Sequence, residues 1–391
     1  WYRTEFEVPQ FQAGKRATIL FDGAMSHANV YINGQKVGYW PYGYNSFHFD
    51  ITKYLKAGQK NTLAVRLENL PESSRWYPGA GLYRNVHVIV TDDAYIPVWG
   101  TYVTTPSVNE KFAKVNIRTK VVLPEGADPA KYSVETSVWN PNKQKLTAVR
   151  TSLEQMKYNN DQAEQEFIIQ SPSLWSPDMP ALYSAETRLY EGDQLKDIYT
   201  TPFGIRSIEI IPDKGFFLNG VKTVFKGVCN HHDLGPLGAA VNDAAIRRQV
   251  RILKDMGCNA IRTSHNMPAP ELIRACDEMG MMIMAESFDE WNVAKCKNGY
   301  NLLFDEWVEK DLINLVHHYR NNPSVVMWCI GNEMDGPWQV GHMSPEEYAG
   351  AVDKVAHAMK LAESGLELVA CGSSGAYMPT FGTWEKTVLT K

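Results

Sequence analysis

The sequence predicts three successive domains, two β-sandwiches followed by the first part of a (β/α)8 TIM barrel. A chain of 391 residues is too long for one ordinary hydrophobic core. Short alternating apolar runs fill the first half, whereas strand-like and helix-like runs alternate in the second. These observations predict domains at residues 1–96, 97–209 and 210–391.

The first domain is predicted from alternating runs such as Ala17–Phe21, which are separated by turn signals. Asn33-Gly34 lies between two apolar stretches and predicts a two-residue hairpin loop. The stretch Ser74–Arg84 differs, because it combines aromatic residues, glycines and two arginines. It is either a rigid surface loop, which the residues alone favour, or one wall of a sugar site.

The second domain is predicted to be an immunoglobulin-like sandwich, because strand-patterned segments recur at regular spacing. Those segments are Lys114–Val122, Tyr132–Trp139, Ala163–Ile169 and Leu182–Leu189. The domain lacks the cysteine pair of antibody domains, and its sequence contains no evident catalytic group. We therefore expect it to act as a spacer and a brace.

The third domain begins with the predicted strand Val224–Val228 and continues in alternating strands and helices. Such repeats predict a parallel sheet with right-handed crossovers, and a closed barrel of this type has eight strands. Five strands are predicted before the sequence ends. A capping box at Ser344–Glu347 marks the start of the helix after strand four. The other four strands are Ala260–His265, Met282–Glu286, Ser324–Ile330 and Leu366–Ala370.

Polar residues follow four consecutive predicted strands, at the end where a parallel barrel carries catalytic groups. Strand four ends in Gly331-Asn332-Glu333, which brings a carboxylate and an amide together. Any single one of these residues could be structural, as a lone histidine at a strand end usually is, but four strands delivering polar groups to one rim favour hydrolysis by carboxylates. The remaining rim residues are His231, His232, Asp233, Ser264, His265, Glu286, Asp289 and Glu290.

Composition argues against several classes of function. A net charge of -5 without a basic run argues against a nucleic-acid partner. No apolar run approaches the roughly 20 residues of a membrane helix. The first residue is Trp rather than Met, so the true N-terminus is expected to be missing, and the compartment stays open between cytoplasm and periplasm. Six cysteines lack zinc spacing and are predicted to be reduced core residues: Cys229, Cys258, Cys276, Cys296, Cys329 and Cys371.

The pattern resembles glycoside hydrolase family 2, the β-galactosidase, β-glucuronidase and β-mannosidase family, from residue 1 to about residue 328. Ser74–Arg84 is similar to the signature of that family's sugar-binding domain, a jelly-roll-like fold. Trp175–Tyr183 and Phe203–Arg206 resemble its sandwich domain. Gly227–His232 and Ile261–His265 resemble the entry to its barrel. The resemblance makes the Ser74–Arg84 loop a family marker without making it catalytic.

From about Trp328 onward the chain resembles glycoside hydrolase family 51, the α-L-arabinofuranosidases. The resemblance is carried by Gly331–His342, Glu367–Ser374 and Met378–Gly382. Both families place Gly-Asn-Glu at the end of the same barrel strand. The chain therefore resembles two related barrels joined at strand four, and the sequence leaves open how the junction arose.

Both resemblances imply that Glu333 is the catalytic acid/base and that Asn332 contacts the sugar hydroxyl next to the reacting carbon. Family 2 also implies that His231 and His265 line the sugar pocket and that Arg262 steadies the nucleophile.

Trp291 is expected to bind the substrate as well. Glu290 matches a magnesium ligand of some β-galactosidases, but Asn292 stands where their histidine is expected. The prediction is therefore no cofactor, with magnesium at Glu290 as the alternative.

The resemblance implies a retaining glycosidase that removes terminal β-D-galactosyl residues by double displacement. The alternatives are β-glucuronidase, β-mannosidase or α-L-arabinofuranosidase activity and, from another class, a non-catalytic carbohydrate-binding or structural module. Family 2 enzymes are commonly oligomers, so a homo-oligomer is also an expectation. Because the resemblance places the nucleophile beyond Lys391, we expect this 391-residue chain not to hydrolyse glycosides.

Overall fold

The computed structural model describes residues 1–9, 11–154, 161–211, 213–331, 343–364 and 366. Two antiparallel sandwiches, a small three-stranded sheet and a parallel sheet with flanking helices follow one another along the chain. This order agrees with the fold class that the sequence predicts. Asn332 and Glu333 lie outside the described residues, as does the predicted fifth barrel strand except for Leu366.

The first sandwich packs two sheets against each other. Its strands are β1 Tyr2–Phe6, β2 Arg16–Phe21, β3 Ala28–Ile32, β4 Gln35–Trp40, β5 Phe47–Asp50, β6 Asn61–Arg66 and β7 Val86–Thr91. One sheet has the order β1-β6-β3-β4 and the other β5-β2-β7. Strict alternation buries Ile19 and Phe21 of β2 in the core between the sheets. Asn33 and Gly34 form the predicted hairpin loop, both with positive φ, which suits a tight two-residue turn.

The second sandwich also has two antiparallel sheets. Its strands are β8 Thr101–Val108, β9 Phe112–Lys120, β10 Tyr132–Trp139, β11 Lys145–Ser152, β12 Gln162–Gln170, β13 Tyr183–Glu191 and β14 Gln194–Phe203. The sheets have the orders β11-β10-β13-β14 and β12-β9-β8. All four predicted segments are strands, within a few residues at their ends.

A small antiparallel sheet then leads into the barrel. Its strands are β15 Ile208–Ile211, β16 Gly215–Leu218 and β17 Val221–Lys222. The first barrel strand was predicted at Val224–Val228, and its start is wrong. Val224 is 64% exposed, and the strand begins at Gly227. A side chain at Gly227 would lie 2.7 Å from the Ala260 carbonyl oxygen, so glycine permits the close approach of the neighbouring strand.

The described part of the barrel is a four-stranded parallel sheet in sequential order. Its strands are β18 Gly227–Asn230, β19 Ala260–Thr263, β20 Met282–Glu286 and β21 Val325–Cys329. The helices are α1 Asp243–Asp255, α2 Pro270–Met279, α3 Phe304–Tyr319 and α4 Pro345–Ala362. The predicted capping box at Ser344 and Glu347 of α4 is confirmed. Within the part of the chain that the structure describes, no helix has the length and apolar character needed to span a membrane.

The first sandwich and the barrel share a core. Arg84, which is 5% exposed, donates hydrogen bonds to the carbonyl of Tyr44 at 2.7 Å on the sandwich side. The same guanidinium donates to the carbonyls of Met267 at 2.9 Å and Pro268 at 3.2 Å on the barrel side. Tyr42 joins the barrel's apolar cluster. The two domains are therefore held by buried groups rather than by a flexible linker.

A buried carboxylate provides a second link between the same two domains. Asp311 of α3 is fully buried and accepts hydrogen bonds from the indole N–H of Trp40 at 2.9 Å and the amide of Asn45 at 2.7 Å. The hydroxyl of Tyr300 donates to its other oxygen at 2.5 Å. Burial raises the pKa of Asp311 to about 7, although the three hydrogen bonds act in the opposite direction.

The second sandwich packs against the start of β21. Arg206 donates hydrogen bonds to the carbonyls of Pro323 at 2.7 Å and Val325 at 2.8 Å. Gly204 approaches Pro323 so closely that a Cβ atom there would lie 2.5 Å from the proline ring. The indole N–H of Trp175, a fully buried residue, donates to the Asp277 carbonyl of α2 at 2.9 Å. These contacts support the strand that leads to Asn332 and Glu333.

Candidate active site

A buried ion pair lies at the carboxyl ends of β19 and β20. Glu286 is fully buried, and its Oε2 lies 2.8 Å from Nε of Arg262. Nη2 of Arg262 donates to Oε1 at 2.9 Å, and Nδ1 of His265 lies 3.0 Å from the same oxygen. The Arg262 side chain is 24% exposed, and its pairing with Glu286 offsets the cost of placing an arginine within an apolar strand.

The parallel register explains why these groups meet. Arg262 of β19 is paired with Met284 of β20, and Glu286 stands opposite Cys329 of β21. The hydroxyl oxygen of Thr263 accepts the backbone N–H of Glu286 at 2.9 Å. Each strand therefore ends at the same level, and polar residues that follow the strands converge on one rim.

Three aromatic rings form a triangle at this rim. The ring centroid of Trp76 lies 4.7 Å from that of His231 and 5.4 Å from that of His265. The two histidine rings are 5.6 Å apart. Burial, and then the neighbouring His265, lowers the pKa of His231, which favours its neutral form. An aromatic wall beside two polar rings suits a ligand with both apolar faces and hydroxyl groups.

Trp76 comes from the first sandwich, in the Ser74–Arg84 loop. Arg75 holds the loop against the barrel, with Nη2 at 2.6 Å and Nε at 3.0 Å from the two carboxylate oxygens of Asp289. Burial alone would raise the pKa of Asp289, but the Arg75 hydrogen bond and the charge of Lys295 hold it below its ordinary value. The loop therefore reaches the barrel rim and is not the surface loop that its residues alone favour.

Trp291, which is predicted to bind the substrate, is buried in the structure. It is 3% exposed, and its indole N–H donates to the Ile330 carbonyl at 2.8 Å. The hydroxyl of Ser287 donates to the same carbonyl at 2.9 Å. The Trp291 ring stacks on Tyr348 of α4. Its N–H is thus occupied by the backbone two positions before Asn332, and a contact of Trp291 with the substrate stays a prediction.

Glu290 does not fit the magnesium alternative. Its carboxylate accepts backbone N–H groups from Lys295 at 2.5 Å, Cys296 at 3.2 Å and Asn301 at 3.2 Å. Burial raises its pKa, and these hydrogen bonds partly offset that effect. An oxygen pair already facing amide hydrogens is poorly arranged for a hard cation. Among the described residues, no group of three or more His, Cys, Asp or Glu side chains could hold a metal ion.

The remaining rim residues are mostly structural. His232 is bonded through Nε2 to the Pro78 carbonyl at 3.3 Å, and burial followed by the charge of Arg84 lowers its pKa to about 4. Ser264 is only 3% exposed. Asp233 is half-buried. His232 helps to seat the Ser74–Arg84 loop, while Ser264 lies beneath the rim.

The prediction that the cysteines are core residues is largely wrong. Of the five cysteines that the structure describes, only Cys276 is buried, Cys258, Cys296 and Cys329 are partly exposed, and Cys229 is exposed. Cys229 lies on β18, an outer strand of the described parallel sheet, so one side of its strand is uncovered there. All five described cysteines are free thiols, and Cys371 lies outside the described residues.

Sequence reasoning missed Arg75 and Trp76 as site residues. Their signal was the unusual aromatic and glycine content of the Ser74–Arg84 loop, but nothing local indicates which surface the loop contacts. His231, His265 and Glu286 were named from their strand ends and Arg262 from the family resemblance, and the structure brings all four together.

Comparison with known proteins identifies the architecture. Residues 1–92 match the model of the sugar binding domain of glycosyl hydrolases family 2. Residues 94–206 match the central model of the same family, and residues 209–364 match its TIM barrel domain. The chain belongs to glycoside hydrolase family 2.

Several relatives share this family 2 architecture. A β-galactosidase of Bacteroides ovatus is 45% identical over 339 residues, which are 86% of this chain and 40% of that protein. A β-glucuronidase of Bacteroides fragilis is 31% identical over 358 residues, 88% of this chain and 50% of that protein. A solved family 2 structure from Bacteroides cellulosilyticus has a TM-score of 0.87 at 32% identity, covering 99% of this chain and 51% of the solved one. The family 2 chain thus spans about half or less of these relatives.

One further relative matches only a short segment of the chain. An intracellular exo-α-(1→5)-L-arabinofuranosidase of Bifidobacterium longum is 97% identical over 67 residues, which are 17% of this family 2 chain and 12% of that protein.

Proposed function

We propose that this family 2 chain belongs to a retaining glycosidase of the β-galactosidase type, which releases terminal β-D-galactosyl residues from a carbohydrate substrate. The observation that carries the proposal is the rim at which Trp76, His231, His265 and Arg262 meet beside the chain leading to Glu333. An aromatic wall, neutral imidazole and a fixed guanidinium are groups that recognise a polyhydroxylated ring.

In this proposal Glu333 is the catalytic acid/base, and Asn332 holds the hydroxyl next to the reacting carbon. Double displacement also needs a nucleophilic carboxylate about 5–5.5 Å from the acid/base. Glu286 is unsuited to attack a sugar, because it is fully buried and its oxygens are bonded to Arg262 and His265. Glu290 is equally committed to backbone amides. The nucleophile is therefore proposed to come from a later barrel strand.

The charge of the rim favours a neutral sugar over a uronic acid. A glucuronide carries a carboxylate, which is best recognised by a cation with capacity for another partner. Among the described rim residues, Arg262 is paired with Glu286, and Arg75 and Lys295 both face Asp289. Each cation already has an anionic neighbour. This balance, together with the Bacteroides ovatus relative, supports a galactoside.

A second candidate activity is α-L-arabinofuranoside hydrolysis. We infer that the 67-residue match corresponds to the segment from near Trp328 to Lys391, which resembles family 51 and contains Glu333. A segment of that origin would surround the acid/base with residues selected for a five-membered sugar ring.

Binding of configured sugar mimics tests the proposal directly. Calorimetric titration of the purified chain would compare 1-deoxygalactonojirimycin, a glucaro-δ-lactam and 1,4-dideoxy-1,4-imino-L-arabinitol. We expect the galactose-configured compound to bind at least about tenfold more tightly than the other two, a difference of about 1.4 kcal/mol. Tightest binding of the lactam or of the arabinitol would replace the galactoside assignment, and binding of none would refute the sugar site.

Turnover tests the role of Glu333. In a chain with a completed barrel, Glu333→Gln should slow hydrolysis of a phenyl galactoside about 100-fold or more, but that of a dinitrophenyl galactoside far less. A good leaving group departs with little protonation, so loss of the acid is felt least there. Equal losses on both substrates would contradict the acid/base assignment.

A further inference from the structure

The buried carboxylate of Glu286 contacts two residues of the rim, Arg262 and His265. Its two carboxylate oxygens lie within 3.0 Å of three nitrogen atoms, Nε and Nη2 of Arg262 and Nδ1 of His265. Its side chain has no exposed surface. Glu286 therefore cannot touch a ligand itself, yet it contacts two residues that line the rim.

The carboxylate is itself firmly placed. Its backbone N–H donates to the hydroxyl of Thr263 in β19, and its position in β20 lies opposite Cys329 in β21. A residue fixed by both neighbouring strands can transmit that rigidity to the side chains it binds. Arg262 and His265 are each only partly exposed, with 24% and 11% of their side-chain surface accessible.

We infer that Glu286 is a positioning residue that holds Arg262 and His265 in one fixed arrangement at the sugar pocket. The inference rests on the proposed function of that pocket. The hydrogen bond from Nη2 and the ion-pair contact of Nε fix the plane of the guanidinium, because Arg presents its nitrogens in a rigid fork. The same carboxylate fixes the imidazole.

Glu286 also determines which ring nitrogen of His265 carries the proton. Nδ1 of His265 lies beside a carboxylate oxygen and therefore carries a proton that it donates to Glu286. In the neutral imidazole this leaves Nε2 as the acceptor, which can receive a hydrogen bond from a sugar hydroxyl. Without the carboxylate, the ring could place its proton on either nitrogen and would lose the orientation that suits a hydroxyl donor.

The competing explanation is that the buried ion pair only stabilises the sheet. Glu286→Gln separates the two ideas. The amide removes the charge and retains one acceptor oxygen, and its NH2 group must face either Nε of Arg262 or the pair formed by Nη2 of Arg262 and Nδ1 of His265, so the three nitrogens can no longer all be satisfied. Glu290→Gln is the matched control, because Glu290 is also a buried carboxylate near the end of β20 but, among the described residues, accepts hydrogen bonds from backbone N–H groups and not from rim side chains.

The experiment measures ligand affinity and the protonation site of His265 in the same purified chain. Titration with 1-deoxygalactonojirimycin should show about tenfold to hundredfold weaker binding for Glu286→Gln, and a change of less than about threefold for Glu290→Gln. Nitrogen-15 spectra of the imidazoles, assigned with His265→Gln, should show Nδ1 protonated in the unaltered protein and a mixed or reversed tautomer in Glu286→Gln. The spectrum of Glu290→Gln should not change.

Several results would overturn the inference. A folded Glu286→Gln chain with unchanged affinity and an unchanged His265 signal would show that Glu286 is structural only. If Glu286→Gln does not fold, Glu286→Asp tests the inference instead, because its shorter side chain keeps the charge but cannot reach both Arg262 and His265. Unchanged affinity and an unchanged His265 spectrum in Glu286→Asp would also refute the positioning role. If the unaltered chain binds no sugar mimic, the proposed function fails, and the His265 spectra still test the positioning role independently.

Discussion

Removal of the Asp311 carboxylate should weaken the joint between the first sandwich and the barrel. The informative substitution is Asp311→Leu, which has a similar volume but no acceptor. Trp40, Asn45 and Tyr300 each donate a hydrogen bond to this carboxylate at 2.9, 2.7 and 2.5 Å. In the variant, three donors from two domains would be left buried without that acceptor.

The magnitude follows from the number of donors. A buried donor that loses its acceptor costs roughly 1–3 kcal/mol, and such losses are not additive. Leucine recovers part of the loss by burying apolar surface. We therefore expect the free energy of unfolding to fall by about 3–5 kcal/mol, similar to the loss when one partner of a buried pair is removed. For a domain of 150–250 residues this lowers the melting temperature by roughly 6–20 °C.

The pH dependence provides an independent check. Burial raises the pKa of Asp311 from its ordinary value of 3.8 to about 7 in the folded protein. The folded state then binds a proton that the unfolded state has released, so this contribution to stability is complete below about pH 4 and is lost as the pH rises through about 7. The difference in free energy of unfolding between the unaltered protein and Asp311→Leu should therefore be smaller at pH 8 than at pH 5.

Differential scanning calorimetry at the two pH values measures both effects. The matched control is Asp305→Leu at the start of the same helix, where an exposed carboxylate pairs with Lys354 and should contribute less than about 1 kcal/mol. A melting temperature for Asp311→Leu within 2 °C of that control would refute the reasoning about buried donors. A gap that widens with pH would contradict the direction of the Asp311 pKa.

Two further substitutions test other contacts. Arg75→Lys keeps the charge but loses the pair of hydrogen bonds to Asp289, so affinity for 1-deoxygalactonojirimycin should fall about five- to tenfold. In a chain that already carries Asp289→Asn, Arg75→Lys should weaken binding little further, and additive losses would contradict the coupling of the two residues. Gly204→Ala places a Cβ atom 2.5 Å from the Pro323 ring and should lower the free energy of unfolding by about 1–3 kcal/mol. The control Gly350→Ala in α4 meets no atom within 4 Å and should raise the free energy of unfolding by about 0.5–1 kcal/mol, so equal melting temperatures of the two variants would refute the predicted clash.

The barrel elements could be predicted closely because their physics is local. Buried parallel strands are continuous apolar runs, and α2 and α4 carry their own end signals at Gly280 and Ser344. By contrast, β11 and β14 were missed. Their residues are largely exposed and polar, so their strand character comes from pairing with β10 and β13 and not from a clear apolar pattern.

The candidate site could be predicted only as far as the strand ends allowed. His231, Arg262, His265 and Glu286 share one rim because parallel strands end at one edge. The contact of Trp76 with His231 joins positions 155 apart in sequence, and no local pattern encodes which surface a loop will meet. Trp291 and Glu290 show the same limit, since the local sequence does not reveal that both side chains are buried and hydrogen-bonded to the backbone.

The shared core of the first sandwich and the barrel restricts where recombination between related genes can occur without disrupting the protein. Arg84, Asp311 and the Arg75–Asp289 pair bind the two domains through barrel residues that all precede β21. Recombination within this stretch would combine surfaces that had not evolved together and would leave charged groups buried without their partners. A crossover just after β21 would leave every one of those contacts intact, so the chain near Trp328 is where gene exchange between barrels disturbs this joint least.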